Sequence, residues 1–218
     1  MAATHTLRCF GDTLSGRAER VIEGRAPRVV YVRSGILTLR SSGQAVTLQA
    51  NSAWFGCDGC RIVAGPNGAE LLTWQLTLMS EDIPQLSSPS ELLHEARIAL
   101  DPAVRYLMRC DRVDFPIGGI AYTHTHRGPG IRCVLTGDIT VKVAGDEHYM
   151  RPGEAWFEAG PDPVLALASE REPTSFARVM VLPLELRGKS SITYVLPEDQ
   201  DKPKRQTYQL FVDDPVYQ

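Results

Sequence analysis

The chain lacks most of what would set it outside the ordinary globular class. No apolar run approaches the ~20 residues needed to span a bilayer. There is no basic excess: 23 Lys and Arg stand against 26 Asp and Glu, a net charge of −3, so nucleic acid is not an expected partner. The start, MAATHTLRCFGD, has neither the charged opening nor the apolar stretch of a signal peptide, and the expected location is cytoplasmic. Cysteine is sparse and odd in number, five in all, which argues against a disulfide framework. Cys57-Asp-Gly-Cys60 has the spacing of half a zinc site or of a redox pair. No second CxxC follows and no βαβ pattern surrounds it, so it reads as two small residues in a turn. No phosphate-cradling glycine loop and no GxSxG elbow occurs, which leaves nucleotide binding and Ser/His/Asp chemistry without support. A sustained 3.6-residue period is missing too.

What is present is β. Short runs such as RVVYVRSG, ILTLRSSGQ, IRCVLTG and DITVKVAGD are rich in Val, Ile, Leu, Thr and Tyr and end in turn residues. Many short strands without crossover helices indicate an all-β sandwich or barrel with few short helices. The best helix candidate is Ser90–Arg97, which could equally be a strand.

The chain also repeats itself. Val32-Arg-Ser-Gly35-Ile-Leu-Thr-Leu39 matches Val134-Leu-Thr-Gly137-Asp-Ile-Thr-Val141, and Ala53-Trp-Phe55 matches Ala155-Trp-Phe157, both at an offset of 102. Seven of 27 positions are identical between 30–56 and 132–158 without a gap, which favours two copies of one domain over a solenoid. The expected organisation is a first domain at 1–80, a Pro/Ser-rich linker at 81–95, a second domain at 96–186 and an extension at 187–218. In the extension, 191–196 and 207–212 read as strands, with an exposed charged loop at 197–205. Such an appendage pairs with an edge strand of its own barrel or of a partner.

Chemistry concentrates in the second copy. His124 and His126 are one residue apart, and on a strand residues i and i+2 share a face at roughly 7 Å spacing. Two imidazoles so placed can grip one metal ion or line a metal-free pocket. Glu158 ends the Ala-Trp-Phe-Glu strand, where the first copy has Gly56. It is the candidate third ligand, and two imidazoles with a carboxylate suit Fe(II), Mn or Zn. Arg132 follows the Gly-Pro-Gly turn. Facing inward, it would clamp a substrate carboxylate; a one-residue register difference would turn it outward. Tyr122 shares the strand face of the histidines by the count of two and is a candidate acid, or a packed wall residue. Trp156 is a second substrate-side candidate, although its recurrence as Trp54 equally suits a structural role. His148 reads as solvated, and Asp162 as a weak alternative ligand.

The run His124-Thr-His126-Arg-Gly-Pro-Gly130-Ile-Arg-Cys-Val-Leu-Thr-Gly137 resembles the first motif of the cupin superfamily, and Met150–Gly160 resembles the approach to the second. Over about residues 25–185 the chain resembles a bicupin, two tandem antiparallel jelly-roll barrels. The resemblance implies a divalent metal (Fe, Mn, Ni or Zn) held by three histidines and a glutamate, a small-molecule substrate and a homodimer. The sequence departs from it in two places. The glutamate position falls at Gly130, and the third histidine falls at or beside Pro163. The first copy has Ile22 and Gly24 at the two histidine positions. The implied activity is metal-dependent oxygenation, isomerisation or elimination on a carboxylate- or carbonyl-bearing molecule. The alternatives are a non-catalytic sensing bicupin, and metal-free acid–base catalysis by Tyr122, His124 and Glu158.

Overall fold

The computed structural model describes residues 3–78, 90–143 and 145–216. The chain divides into two compact units, one running to Val104 and joined by Val216, the other Arg105–Pro215.

The first unit contains β1 (Ala3–Leu14), β2 (Glu19–Ile22), β3 (Arg28–Ser41), β4 (Gln44–Gln49), β5 (Ser52–Gly56), β6 (Cys60–Leu78) and β7 (Glu91–Leu100). Its main path runs β4-β3-β6-β1-β7, with β2 on β6 and β5 on β3. The second unit contains β8 (Tyr106–Phe115), β9 (Ile120–His126), β10 (Gly130–Thr136), β11 (Ile139–Val143), β12 (Asp146–Met150), β13 (Ala155–Glu158), β14 (Val164–Ala168), β15 (Thr174–Pro183), β16 (Ile192–Tyr194) and β17 (Thr207–Pro215). These form two sheets, β13-β10-β15-β8-β17 and β12-β11-β14-β9-β16. Every pairing is antiparallel.

The internal repeat is a repeat of register. Val30 pairs with Trp54 in the first unit and Arg132 with Trp156 in the second. The shared glycine does the same work twice. Gly35 (φ 79°) and Gly137 (φ 66°) lie in the left-handed region, and an added Cβ would stand 2.2 Å from Gly68 O and 2.7 Å from Pro173 O respectively. Only glycine turns the chain there with a neighbouring strand so close. In the first unit β3 shifts register around Gly35 and continues. In the second the chain breaks, giving separate β10 and β11 in different sheets.

Each unit buries its own core, around Leu37, Leu39, Ile62 and Leu71 in the first and Val134, Ile139, Val141 and Phe176 in the second. The β15 segment TSFARVMVLP is buried along nearly its whole length, as expected of a central strand covered on both faces.

Several expectations need correction. The helix candidate at 90–97 is strand β7, paired along β1 from Ala3↔Leu100 to Gly11↔Glu91. Its Glu, Leu and Ala favour helix, but an open partner edge overrides that preference. Of the proposed linker, 81–89 lie outside the described residues, and 91–95 belong to β7. The second unit therefore begins near Arg105 rather than at 96. The charged 197–205 segment carries one helical turn, α1 (Pro197–Gln200). The appendage pairs within its own unit, β16 on β9 and β17 on β8.

Candidate functional site

The inner face of the β13-β10-β15-β8-β17 sheet changes character row by row. Val134, Phe176, Val113 and Tyr208 form one cross-strand row. The next is Trp156, Arg132, Arg178 and Asp111. The third is Glu158, Gly130, Met180, Arg109 and Asp213. Apolar packing thus gives way to buried charge along the barrel. Arg132 and Arg178 are direct cross-strand neighbours, an arrangement of like charges that is unfavourable by itself. Carboxylates offset it. Arg178 grips Asp111 through two bonds, Nε to Oδ1 at 2.7 Å and Nη2 to Oδ2 at 3.1 Å. Arg132 Nη2 stands 2.6 Å from Glu158 Oε2, and its Nη1 donates to Gly130 O at 2.6 Å. Trp156 Nε1 donates to the other Glu158 oxygen at 2.9 Å.

The histidines face this row from the second sheet. His124 and His126 are both nearly fully buried, with ring centroids 4.9 Å apart and planes at 88°. His124 Nδ1 lies 2.7 Å from Tyr122 O. A carbonyl only accepts, so Nδ1 carries the proton and Nε2 is the open nitrogen. His126 Nε2 lies 3.5 Å from Glu158 Oε2. Burial lowers the pKa of His124 against the opposing pull of the Tyr122 carbonyl and Glu158. Burial, reinforced by Arg132 and Arg178, pushes His126 far below the imidazole range. Both rings are neutral. Burial also draws Arg132 down to about 10 while Glu158 holds it up, and it stays charged at neutral pH. Arg178 is equally buried, but Asp111 overrides that cost and its pKa is raised.

His124, His126, Arg132, Trp156 and Glu158 line one small chamber of about 20 Å³ with Arg178, Tyr208 and Ile192. That is room for about one water-sized group. Three buried polar atoms at this chamber lack hydrogen-bond partners: His126 Nδ1, Arg132 Nη2 and Glu158 Oε2. The Arg132–Glu158 contact is therefore ionic without hydrogen-bond alignment.

Tyr122 is not at the chamber. The pairing of β14 with β9 shifts between Val164↔His124 and Ala166↔Ala121. This bulge breaks the count of two, so that Ala121 lines the chamber and Tyr122 turns away, its ring under the Lys202 ammonium at 4.9 Å. His148 and Asp162 are exposed, and Asp162 is not part of the chamber lining. Cys57 and Cys60 are free thiols whose pKa values burial raises.

A second cavity, of about 340 Å³, shares Arg178, Ile192 and Tyr208 with the chamber. Arg109, Asp111, Lys189, Ser190, Ser191 and Tyr194 are among its other walls. Sequence reasoning missed Arg178 and this cavity. One signal was available: Arg178 is the sole charge in the apolar run 176–183.

Two neutral imidazoles are the right chemistry for a divalent ion. The third donor is not free, because Arg132 holds Glu158 Oε2, and Arg178 adds a second positive charge beside it. Among the described residues no three His, Cys, Asp or Glu side chains are grouped to hold a metal ion. As placed, His124, His126 and Glu158 do not fit a three-ligand centre.

Paired antiparallel sheets enclosing such a chamber make this the cupin fold, and the solved structures that resemble the chain are cupin-fold proteins. A deletion mutant of the oxalate decarboxylase OxdC from Bacillus subtilis superimposes with a TM-score of 0.65 at 10% identity, over 91% of this chain and 73% of that one. AerE from Microcystis aeruginosa gives 0.60 at 11% identity, over 82% and 88%. The salicylate 1,2-dioxygenase of Pseudaminobacter salicylatoxidans gives 0.56 at 12%, over 80% and 71%. No protein-family model and no curated protein sequence matches the chain.

Proposed function

We propose that the second unit is a cupin-type enzyme acting on a small carboxylate- or carbonyl-bearing molecule. The observation that carries this reading is the meeting of two neutral imidazoles, a buried carboxylate and two guanidinium groups at one chamber. A buried guanidinium whose close carboxylate contact is unaligned is a ready partner for a substrate anion. His124 Nε2, its tautomer set by the Tyr122 carbonyl, accepts a proton, and Glu158 receives or returns one. Arg132 and Trp156 hold the substrate side. Two of the structural relatives are named for reactions of oxalate and salicylate, both carboxylates.

Thermal unfolding of the full chain with a panel of small mono- and dicarboxylates, hydroxy acids and their neutral amides tests the reading. A ligand at a hundredfold excess over its Kd stabilises the native state by about 2.7 kcal/mol. Carboxylates are expected to raise Tm and amides are not, and proton NMR should show at least one stabilising acid consumed. Stabilisation without turnover supports the sensing bicupin instead, and no response to any carboxylate removes both readings. A metal-dependent form of the proposal would require Arg132 to release Glu158. Stoichiometric metal after metal-supplemented expression, lost in His124→Ala, would support it; activity that survives chelation would sink it.

A further inference from the structure

The chamber at the histidines is too small for a substrate body, so the body must lie elsewhere. At about 20 Å³ it admits one small group. The neighbouring cavity of about 340 Å³ falls in the range of small-ligand sites. The two meet at Arg178, Ile192 and Tyr208.

Charge and shape in the larger cavity select its occupant. Arg109, Arg178 and Lys189 face a single lining carboxylate, Asp111. Arg109 is satisfied: its guanidinium bonds both Asp213 oxygens, at 2.8 and 3.0 Å, and the carbonyls of Lys189 and Leu186. Arg178 spends Nε and Nη2 on Asp111. Its Nη1 lies outside that pair, and Lys189 stands exposed. The walls are aromatic. Tyr208 stacks against the Arg178 guanidinium at 5.7 Å, and the Tyr194 ring has the Lys204 ammonium at 4.3 Å and the His124 ring, tilted, at 6.3 Å. Strand β16 fixes Tyr194 there by pairing it with His124.

The geometry points to a flat, unsaturated carboxylate as the ligand of this cavity. Its carboxylate meets the open edge of Arg178, and its π-face lies against Tyr194 and Tyr208. This inference rests on the enzyme reading and assigns it a substrate class. It adds Arg178 as an anchor for the substrate carboxylate beside Arg132.

Isothermal titration of the full chain with three probes of similar size tests it: benzoate, cyclohexanecarboxylate and benzamide. Benzoate is expected to bind about threefold to tenfold tighter than cyclohexanecarboxylate, the worth of an aromatic contact. It should bind at least about tenfold tighter than benzamide, the worth of a hydrogen bond to a charged group. Tyr194→Leu should erase the first preference, and Ser190→Trp, which fills the cavity from its exposed rim, should abolish binding. Circular dichroism identifies any variant that has lost its fold. Equal binding of the two carboxylates, or benzoate affinity unchanged in Ser190→Trp, overturns this inference and leaves the carboxylate enzyme standing. Benzamide binding as well as benzoate overturns both.

Discussion

At the position 102 residues before Gly130 the first unit carries Arg28, and the two units resolve the same place in opposite ways. Arg28 is fully buried and donates to the carbonyls of Asp58 and Gly24. Gly24 is the counterpart of His126, so the first unit fills its own site with a guanidinium bound to its backbone. Gly56, the counterpart of Glu158, has no space for a side chain: an added Cβ would stand 2.2 Å from the Trp54 ring. In the second unit the tryptophan lends its N–H to Glu158, and an added Cβ at Gly130 would strike Val179 O at 2.5 Å. Gly130 and Glu158 are register partners. The carboxylate that the cupin motif places on β10 thus stands one strand away, at the same level, with Arg132 bound to it. One unit holds a buried guanidinium on its own backbone carbonyls at this place, and the other keeps a chamber lined by a histidine, a guanidinium and a carboxylate.

If that contrast is right, removing the anion from the second unit is the most damaging single change. Glu158→Ala leaves Arg132 buried without a carboxylate, which costs about 3–5 kcal/mol, and also strips Trp156 Nε1 of its acceptor. The double variant Arg132→Met/Glu158→Leu should recover most of the loss. Denaturant unfolding checks both. A loss under about 1 kcal/mol in Glu158→Ala would mean that Arg132 does not depend on Glu158.

The histidine pair gives the next largest effect. Both rings are neutral when folded because burial lowers their pKa values, whereas in the unfolded chain they protonate near the ordinary value of about 6.5. Below that pH the unfolded state binds more protons, so stability falls as pH falls. The slope approaches about 1.4 kcal/mol per pH unit for each ring. Ile22 and Gly24, at the matching places, cannot titrate. His94 is the first unit's own half-buried imidazole and is also lowered by burial, so His94→Gln is the control. His124→Gln/His126→Gln should flatten the limb between pH 6.5 and 5.5 far more than His94→Gln does. Equal flattening would dissolve the distinction between the units.

A smaller cost is expected from Arg28→Met, about 1–2 kcal/mol. It frees the carbonyls of Gly24 and Asp58 but also removes a buried charge without a carboxylate partner, which limits the loss. Benzoate binding in the second unit should be unchanged. A loss matching Glu158→Ala would show that the first unit depends on its charge as heavily as the second.

The difference between the units was legible in the sequence wherever it rested on spacing. The offset of 102 carried the register, because Val30↔Trp54 and Arg132↔Trp156 are the same pair. The Gly56-to-Glu158 substitution marked the carboxylate. Arg132 stood open between inward and outward readings, since a one-residue slip reverses a strand's faces; pairing with Arg178 on β15 fixes it inward. Arg178 itself was hidden because its role comes from strands distant in sequence, β8 and β10. The failure at Tyr122 has a different cause, an irregularity in pairing that composition does not encode.

That irregularity yields the smallest expected effect. In the first unit β2 runs without a shift against β6, Arg20↔Ile62 and Ile22↔Cys60, so Arg20 and Ile22 both face inward and are buried. Tyr122 stands 102 residues after Arg20, and an unbroken strand would bury it likewise. The bulge between Ala121 and His124 cancels this, leaving the Tyr122 ring partly exposed under Lys202. Tyr122→Phe keeps that cation–π contact and removes only the hydroxyl, so stability should stay within about 0.5 kcal/mol of the parent and benzoate affinity should not move. A tenfold loss of carboxylate turnover in Tyr122→Phe, with binding intact, would place the hydroxyl at the reacting atoms and restore the unbroken count of two along β9.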